Sequence, residues 1–272
     1  MRRWRGLILY FLDYAIFTGA IRHYAAKTLE EAFKQDPNPQ RRRLHFVNLL
    51  REEYAGYEDT GALLDAFLDY REGRLDHPIA SLMTFRPAEV ALAAMFESHQ
   101  ISSGDELYRR LRLGEWIPRE WSEWFPDLDL PKSLALACRF FFEDCARNQK
   151  PYGVIAYNKI KHGLLIVPSG RAYKGGDYPD TPAALFPTPG ERQKEGAPAY
   201  SIYGFPCDDV HIEQRHASIE FIQCNLRLLS GLYVTWRYPA VLAGKGISPR
   251  QLFACKEFYD VRHLISEVTQ KK

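Results

Sequence analysis

Residues 208–236 read DDVHIEQRHASIEFIQCNLRLLSGLYVTW. Asp208 and Asp209 open the run, where a short carboxylate side chain satisfies otherwise unpaired helix N–H groups and sits at the positive end of the dipole. Ile212, Ile219, Ile222, Leu226 and Leu229 follow at spacings of three, four and seven, which places them on one face of a helix. No proline interrupts the run. A single amphipathic helix from about 208 to 236 is predicted, and it sets the class: a mainly α protein.

The stretch before it is of another kind. Between 164 and 206 lie LLIVP (164–168) and AYSIYGF (199–205), two short β-like runs. They are separated by Pro179, Pro182, Pro187, Pro189 and Pro198 with interspersed glycines. This composition predicts no helix. The two runs are expected to pair as a hairpin, closing the base of a Pro/Gly-rich insertion that is either a functional flap or partly disordered.

Further upstream the helical pattern returns. Pro131 at a first helical position opens a helix over 131–149. Ser103-Gly-Asp-Glu106 is a capping box that starts a helix to about 113. Helices are also predicted over 6–34, 40–56, 60–72 and 87–99, the first ended by Pro37-Asn38-Pro39. Ser248-Pro-Arg-Gln251 starts a last one to about 267. The reading is a helical bundle of about eight helices with an insertion carrying a short β-hairpin. It divides into an N-terminal region, 1–125, and a C-terminal region, 126–272, with the insertion at 164–206.

Bulk composition bounds function. The chain has 272 residues, 46% of them hydrophobic, enough to bury a sizeable core. A net charge of +2 argues against binding nucleic acid with the whole surface, so any basic site is a local patch. The five cysteines form no C-x-x-C pair, which removes zinc-ribbon and thioredoxin chemistry. Their sparse, odd count suits a reducing compartment. The start, MRRWRGLILYFLDYAIFTGA, superficially resembles an export signal. Asp13 breaks its apolar run, and a carboxylate at a bilayer centre costs about 2.5–3.5 kcal/mol. Ile21, Tyr24, Ala25, Leu29 and Phe33 continue the helical spacing. An amphipathic or buried helix is expected, in a cytoplasmic protein that does not enter a membrane.

Four groups of residues carry candidate chemistry. The first is Tyr157-Asn158-Lys159-Ile160-Lys161-His162-Gly163. An imidazole titrates near neutrality and can move the proton of an RNA 2′-OH, while Lys159, Lys161 and the upstream Arg147 supply charge for a phosphate. The bland alternative is a helix C-terminus, with His162 meeting the last carbonyls. The second is Glu213-Gln-Arg-His216 followed by Glu220, all on one helix face, echoed by Asp260-Val-Arg-His263. Carboxylate-bridged two-metal bundles use E-x-x-H from two helices and carboxylates from two others, for which Glu30, Glu31, Glu143 and Asp144 are available. A solvated face explains the same spacing, and no metal ligand is assigned from it. The third is Arg41-Arg42-Arg43 with His45, cations at a helix start where the dipole disfavours them. The fourth is aromatic: Trp116, Trp121, Trp124, Phe125, Trp236 and Tyr238, for base stacking or, more simply, core filling.

The segment 157–163 resembles the HEPN family of four-helix-bundle proteins, whose active members carry an Arg, a polar residue and, after three more positions, a His. Asn158 and His162 match the polar residue and the His. Tyr157 stands where the family has Arg, so the match is degenerate. The resemblance covers about 130–165 and the following long helix. It implies an RNA partner, a homodimer, metal-independent endoribonuclease chemistry without a cofactor or a degenerate non-catalytic relative of it, and a bacterial defence or toxin setting. The competing reading is a non-catalytic interaction module that works through dimerisation alone.

Overall fold

The structure, a computed structural model, describes residues 21–78, 92–148, 167–173, 181–189 and 200–244, with 248, 250 and 253. For 144–148, the strand residues up to 203 and Val241, the backbone alone is described.

The chain is mainly helical, with α1 over residues 21–35, α2 (Pro39–Arg71), α3 (Leu92–Ser98) and α4 (Gly104–Leu111). A 3-10 turn follows at Leu113–Trp116, then α5 (Trp121–Trp124), α6 (Leu130–Asn148), strands β1 (Val167–Tyr173), β2 (Thr181–Pro189) and β3 (Tyr200–Pro206), α7 (Asp209–Arg237) and α8 (Pro239–Ala243). Among the described residues no helix is long and apolar enough to cross a membrane. Residues 1–20 lie outside the described residues, as do the start of the helix expected at 87 and most of the one expected at 248–267.

Several expected boundaries are set by contacts the sequence foreshadows. Asp36 to Asn38 separate α1 from α2, and the Asn38 side chain caps α2 through the Gln40 N–H at 2.9 Å. Asp208 caps α7 through the His211 N–H at 2.9 Å. Ser103 caps α4, its hydroxyl accepting from the Glu106 N–H. The return half of that box is displaced by one residue: Glu106 accepts from the N–H and hydroxyl of Ser102, at 2.8 and 2.7 Å.

Two expectations are corrected. The helices read over 40–56 and 60–72 are one 33-residue helix. The GYEDTG stretch at 56–61 stays helical because Tyr54, Tyr57, Leu63 and Leu64 keep a continuous buried stripe across it. Each glycine costs about 1 kcal/mol there, less than the burial of one such side chain returns. The insertion holds a three-stranded antiparallel sheet in the order β1-β2-β3, so the two β-like runs do not pair as one hairpin. The strand between them, β2, contains Pro182, Pro187 and Pro189 and pairs Leu185 with Val167 on one side and with Gly204 on the other.

The chain divides into two units, each assembled from separated stretches. Unit one takes 1–21, 57–147 and 221–272, and unit two takes 22–56 and 148–220. The expected boundary at 125/126 falls inside unit one. The core of unit one is aromatic. Trp116 packs edge-on against Phe67 at 5.0 Å and Tyr233 at 5.6 Å, and stacks on Trp236 at 6.1 Å. The Arg71 guanidinium lies over Trp236 at 4.6 Å and donates to the Leu111 carbonyl at 3.0 Å. Gly104 at the start of α4 meets the backbone of Arg139 on α6 so closely that a Cβ would overlap it. In unit two, Phe33, Phe46, Leu49, Leu50, Ile212 and Ile219 are buried.

Candidate functional site

Asn158, Lys159, Lys161 and His162 lie outside the described residues, with Tyr157. Arg147 belongs to the last turn of α6, where the backbone alone is described. The helices that flank this segment are described: α6 before it and, beyond the sheet, α7 after it.

The E-x-x-H stretch on α7 is where the structure brings most side chains together. His216 and Glu220 are one turn apart, and the His216 Nε2 lies 3.5 Å from the Glu220 Oε1. His23, from α1, places its Nδ1 3.3 Å from that same oxygen. One potential ligand atom from each of the three residues falls within 4.8 Å of the others. The His216 Nδ1 is hydrogen-bonded to the Glu30 carboxylate, so His216 is held from one side by Glu30 and presents Nε2 on the other. That Nε2 is shielded from solvent and has no hydrogen-bond partner among the described residues. Glu213, the first residue of the motif, turns away from this group to Lys34, which donates to Glu213 at 2.7 Å and to Glu30 at 2.6 Å.

The electrostatics follow from these contacts. Burial pulls the Glu30 carboxyl upward, but hydrogen bonds from Lys34 and His216 outweigh it and leave the group below its ordinary value. The arginines of unit two near the motif are committed elsewhere: Arg22 to Glu52 at 2.9 Å and Arg215 to Glu53 at 2.6 Å. Glu220 meets only the two imidazoles among the described residues.

Of the other residues proposed for a carboxylate-bridged centre, Glu31 and Glu143 are exposed and outside this group, and the side chain of Asp144 is not described. Asp260 and His263 lie outside the described residues. His23 was missed by sequence reasoning. Its signal was its position seven residues before Glu30, which puts both on one face of α1 two turns apart.

The remaining candidates resolve into structure. Arg41 pairs with Asp36 at 3.0 Å and Arg42 with Asp209 at 2.8 Å, while Arg42 also covers the Phe33 ring. His45 faces Asp36 at 3.4 Å, and Arg43 is buried. Trp116, Trp121 and Phe125 are core residues of unit one. A second carboxylate–imidazole group, Asp65, Asp69 and His99, is also in unit one. There Asp65 takes one ring nitrogen of His99 at 2.7 Å and Arg74 takes the other at 2.8 Å. A guanidinium only donates, so the imidazole is fully used and a cation already stands inside the group. Among the described cysteines, burial pushes the Cys207 thiol up to about 12 and the Cys138 thiol well above its usual range, which removes both as nucleophiles at neutral pH.

Comparison with family models, with curated proteins and with solved structures finds no match to this chain.

Proposed function

We propose that this chain is a HEPN-like, RNA-associated protein in which residues 157–163 form a degenerate version of the family's catalytic segment. The observation that carries the reading is the place of YNKIKHG in a mainly helical chain. It follows the 19-residue helix α6 and precedes the 29-residue helix α7, as a segment serving a helical bundle would. In this reading His162 is the proton-transfer group and Asn158 the polar residue beside it. Lys159, Lys161 and Arg147 supply positive charge for the RNA backbone, and the protein works as a cytoplasmic homodimer.

Tyr157 decides what such a site does. Cleavage of RNA without metal needs a fixed positive charge on the phosphate, which Arg provides as a two-pronged clamp. Lysines are mobile point charges. They hold a phosphate backbone without orienting one phosphate for attack. The site therefore binds RNA and cleaves it poorly.

Fluorescence anisotropy of a labelled single-stranded RNA, at several salt concentrations, tests the binding. Affinity should fall with salt. The Lys159→Ala, Lys161→Ala double variant should bind more weakly, its log–log salt slope reduced by about 0.7 per lysine. RNA binding absent at low salt, or unchanged in the double variant, contradicts the reading.

A further inference from the structure

We propose that His23, His216 and Glu220 bind one divalent transition-metal ion, Zn²⁺ or a close relative, leaving a fourth coordination position open to water. The proposal is independent of residues 157–163 and of the RNA reading.

The geometry is the first support. Zinc bonds of roughly 2.0–2.2 Å at tetrahedral angles set ligand atoms about 3.3–3.5 Å apart. The two separations to the Glu220 oxygen, 3.3 Å from His23 and 3.5 Å from His216, match that edge. The third falls within 4.8 Å. Two ligands come from one turn of α7 and the third from α1, so a bound ion would cross-link two helices of the same unit.

The chemistry of His216 is the second support. Glu30 accepts a hydrogen bond from Nδ1–H, which leaves the lone pair on Nε2 and fixes the ring plane. A carboxylate behind an imidazole is the usual outer partner of a metal-bound histidine, because it sets the tautomer and raises ligand basicity. The atom so prepared, Nε2, is shielded from solvent and lacks a hydrogen-bond partner among the described residues. An unsatisfied buried nitrogen is costly, and a metal bond satisfies it. Glu30 is in turn steadied by Lys34.

Charge is the third. Lys34 pairs with Glu30 and Glu213 but not with Glu220, and the neighbouring Arg22 and Arg215 pair with Glu52 and Glu53. Glu220 is left with the two imidazoles alone among the described residues, and a divalent ion meets its charge. The ion does so with both histidines neutral, as metal ligands must be. Side-chain exposure of 32% for His23 and 34% for Glu220, against 15% for His216, opens the group to solvent on one side. Three protein ligands with solvent access are the arrangement of a water-activating centre rather than a closed structural one.

Full-length protein freed of metal with a chelator is titrated with Co²⁺, followed by its visible absorption, and then with Zn²⁺. One Co²⁺ per chain should give the intense bands of a low-coordinate imidazole–carboxylate site, and Zn²⁺ should displace it. His23→Ala and His216→Ala should each weaken binding by about tenfold or more, and Glu30→Gln by about 10–100-fold with the cobalt spectrum preserved. His23 is partly exposed, so His23→Ala keeps the fold and the test stands even if the His216 variant unfolds. Circular dichroism verifies folding. A wild type without a saturable cobalt spectrum overturns the proposal, and so does equal cobalt affinity in wild type and folded His23→Ala.

Discussion

Glu53 is 3% exposed, and its carboxylate meets the Arg215 guanidinium at 2.6 Å. Losing one partner of a buried pair leaves the other charge uncompensated, which usually costs about 3–5 kcal/mol. Arg215 keeps a quarter of its side chain in solvent, so Glu53→Ala should cost about 3 kcal/mol, the low end of that range. The Glu53→Met, Arg215→Met double variant should lose much less, because neither charge is then stranded. Urea unfolding of the three proteins measures this, and an unchanged midpoint in Glu53→Ala would show that the pair is idle. At this scale the sequence was partly legible. Glu213, His216 and Glu220 stand out by their spacing on one face, and Asp208 and Ser103 by their capping chemistry. Which glutamate serves which partner was not legible. Glu213 goes to Lys34, and Glu30 takes its place behind His216, because those pairings depend on how α1 lies against α7. Spacing within a single helix holds no record of that.

At the scale of elements, periodicity located the helices and misjudged where two of them join. Gly56 and Gly61 lie about the expected break between 56 and 60, and buried residues on both sides carry the helix through it. In β2 the misreading has the opposite cause. Prolines at 182, 187 and 189 remove ladder donors and argue against a strand between two others. Yet β2 is paired on both sides. Close approach of helices is a third feature that sequence leaves unmarked. Gly104 looks like a helix-start residue within a capping box, but its missing side chain is what lets α4 meet the α6 backbone at Arg139. Alanine is the better helix former by about 1 kcal/mol. Overpacking against an unyielding backbone typically costs about 1–3 kcal/mol, so the steric effect wins and Gly104→Ala should be net destabilising. A lowered melting temperature is expected; a raised one would mean that helix propensity dominates and the contact is soft.

For the molecule as a whole, the mainly helical class was legible from the runs at 131–149 and 208–236, and the division into units was not. Each unit gathers stretches distant in sequence, and both α2 and α7 contribute to both, so no single cut along the chain separates them. The proposed functional segment, 157–163, lies outside the described residues, so its reading rests on sequence alone. The proposed function rests on a helical scaffold holding a site made degenerate by one residue, Tyr157. The most direct measurement is RNA cleavage by the full chain in the presence of a chelator, comparing wild type with Tyr157→Arg and with Tyr157→Arg, His162→Ala. Restoring the clamp should raise cleavage above wild type, and removing the imidazole from that background should cut the rate by about 10²–10⁴-fold with little change in melting temperature. A folded Tyr157→Arg variant that cleaves RNA no better than wild type would contradict the account.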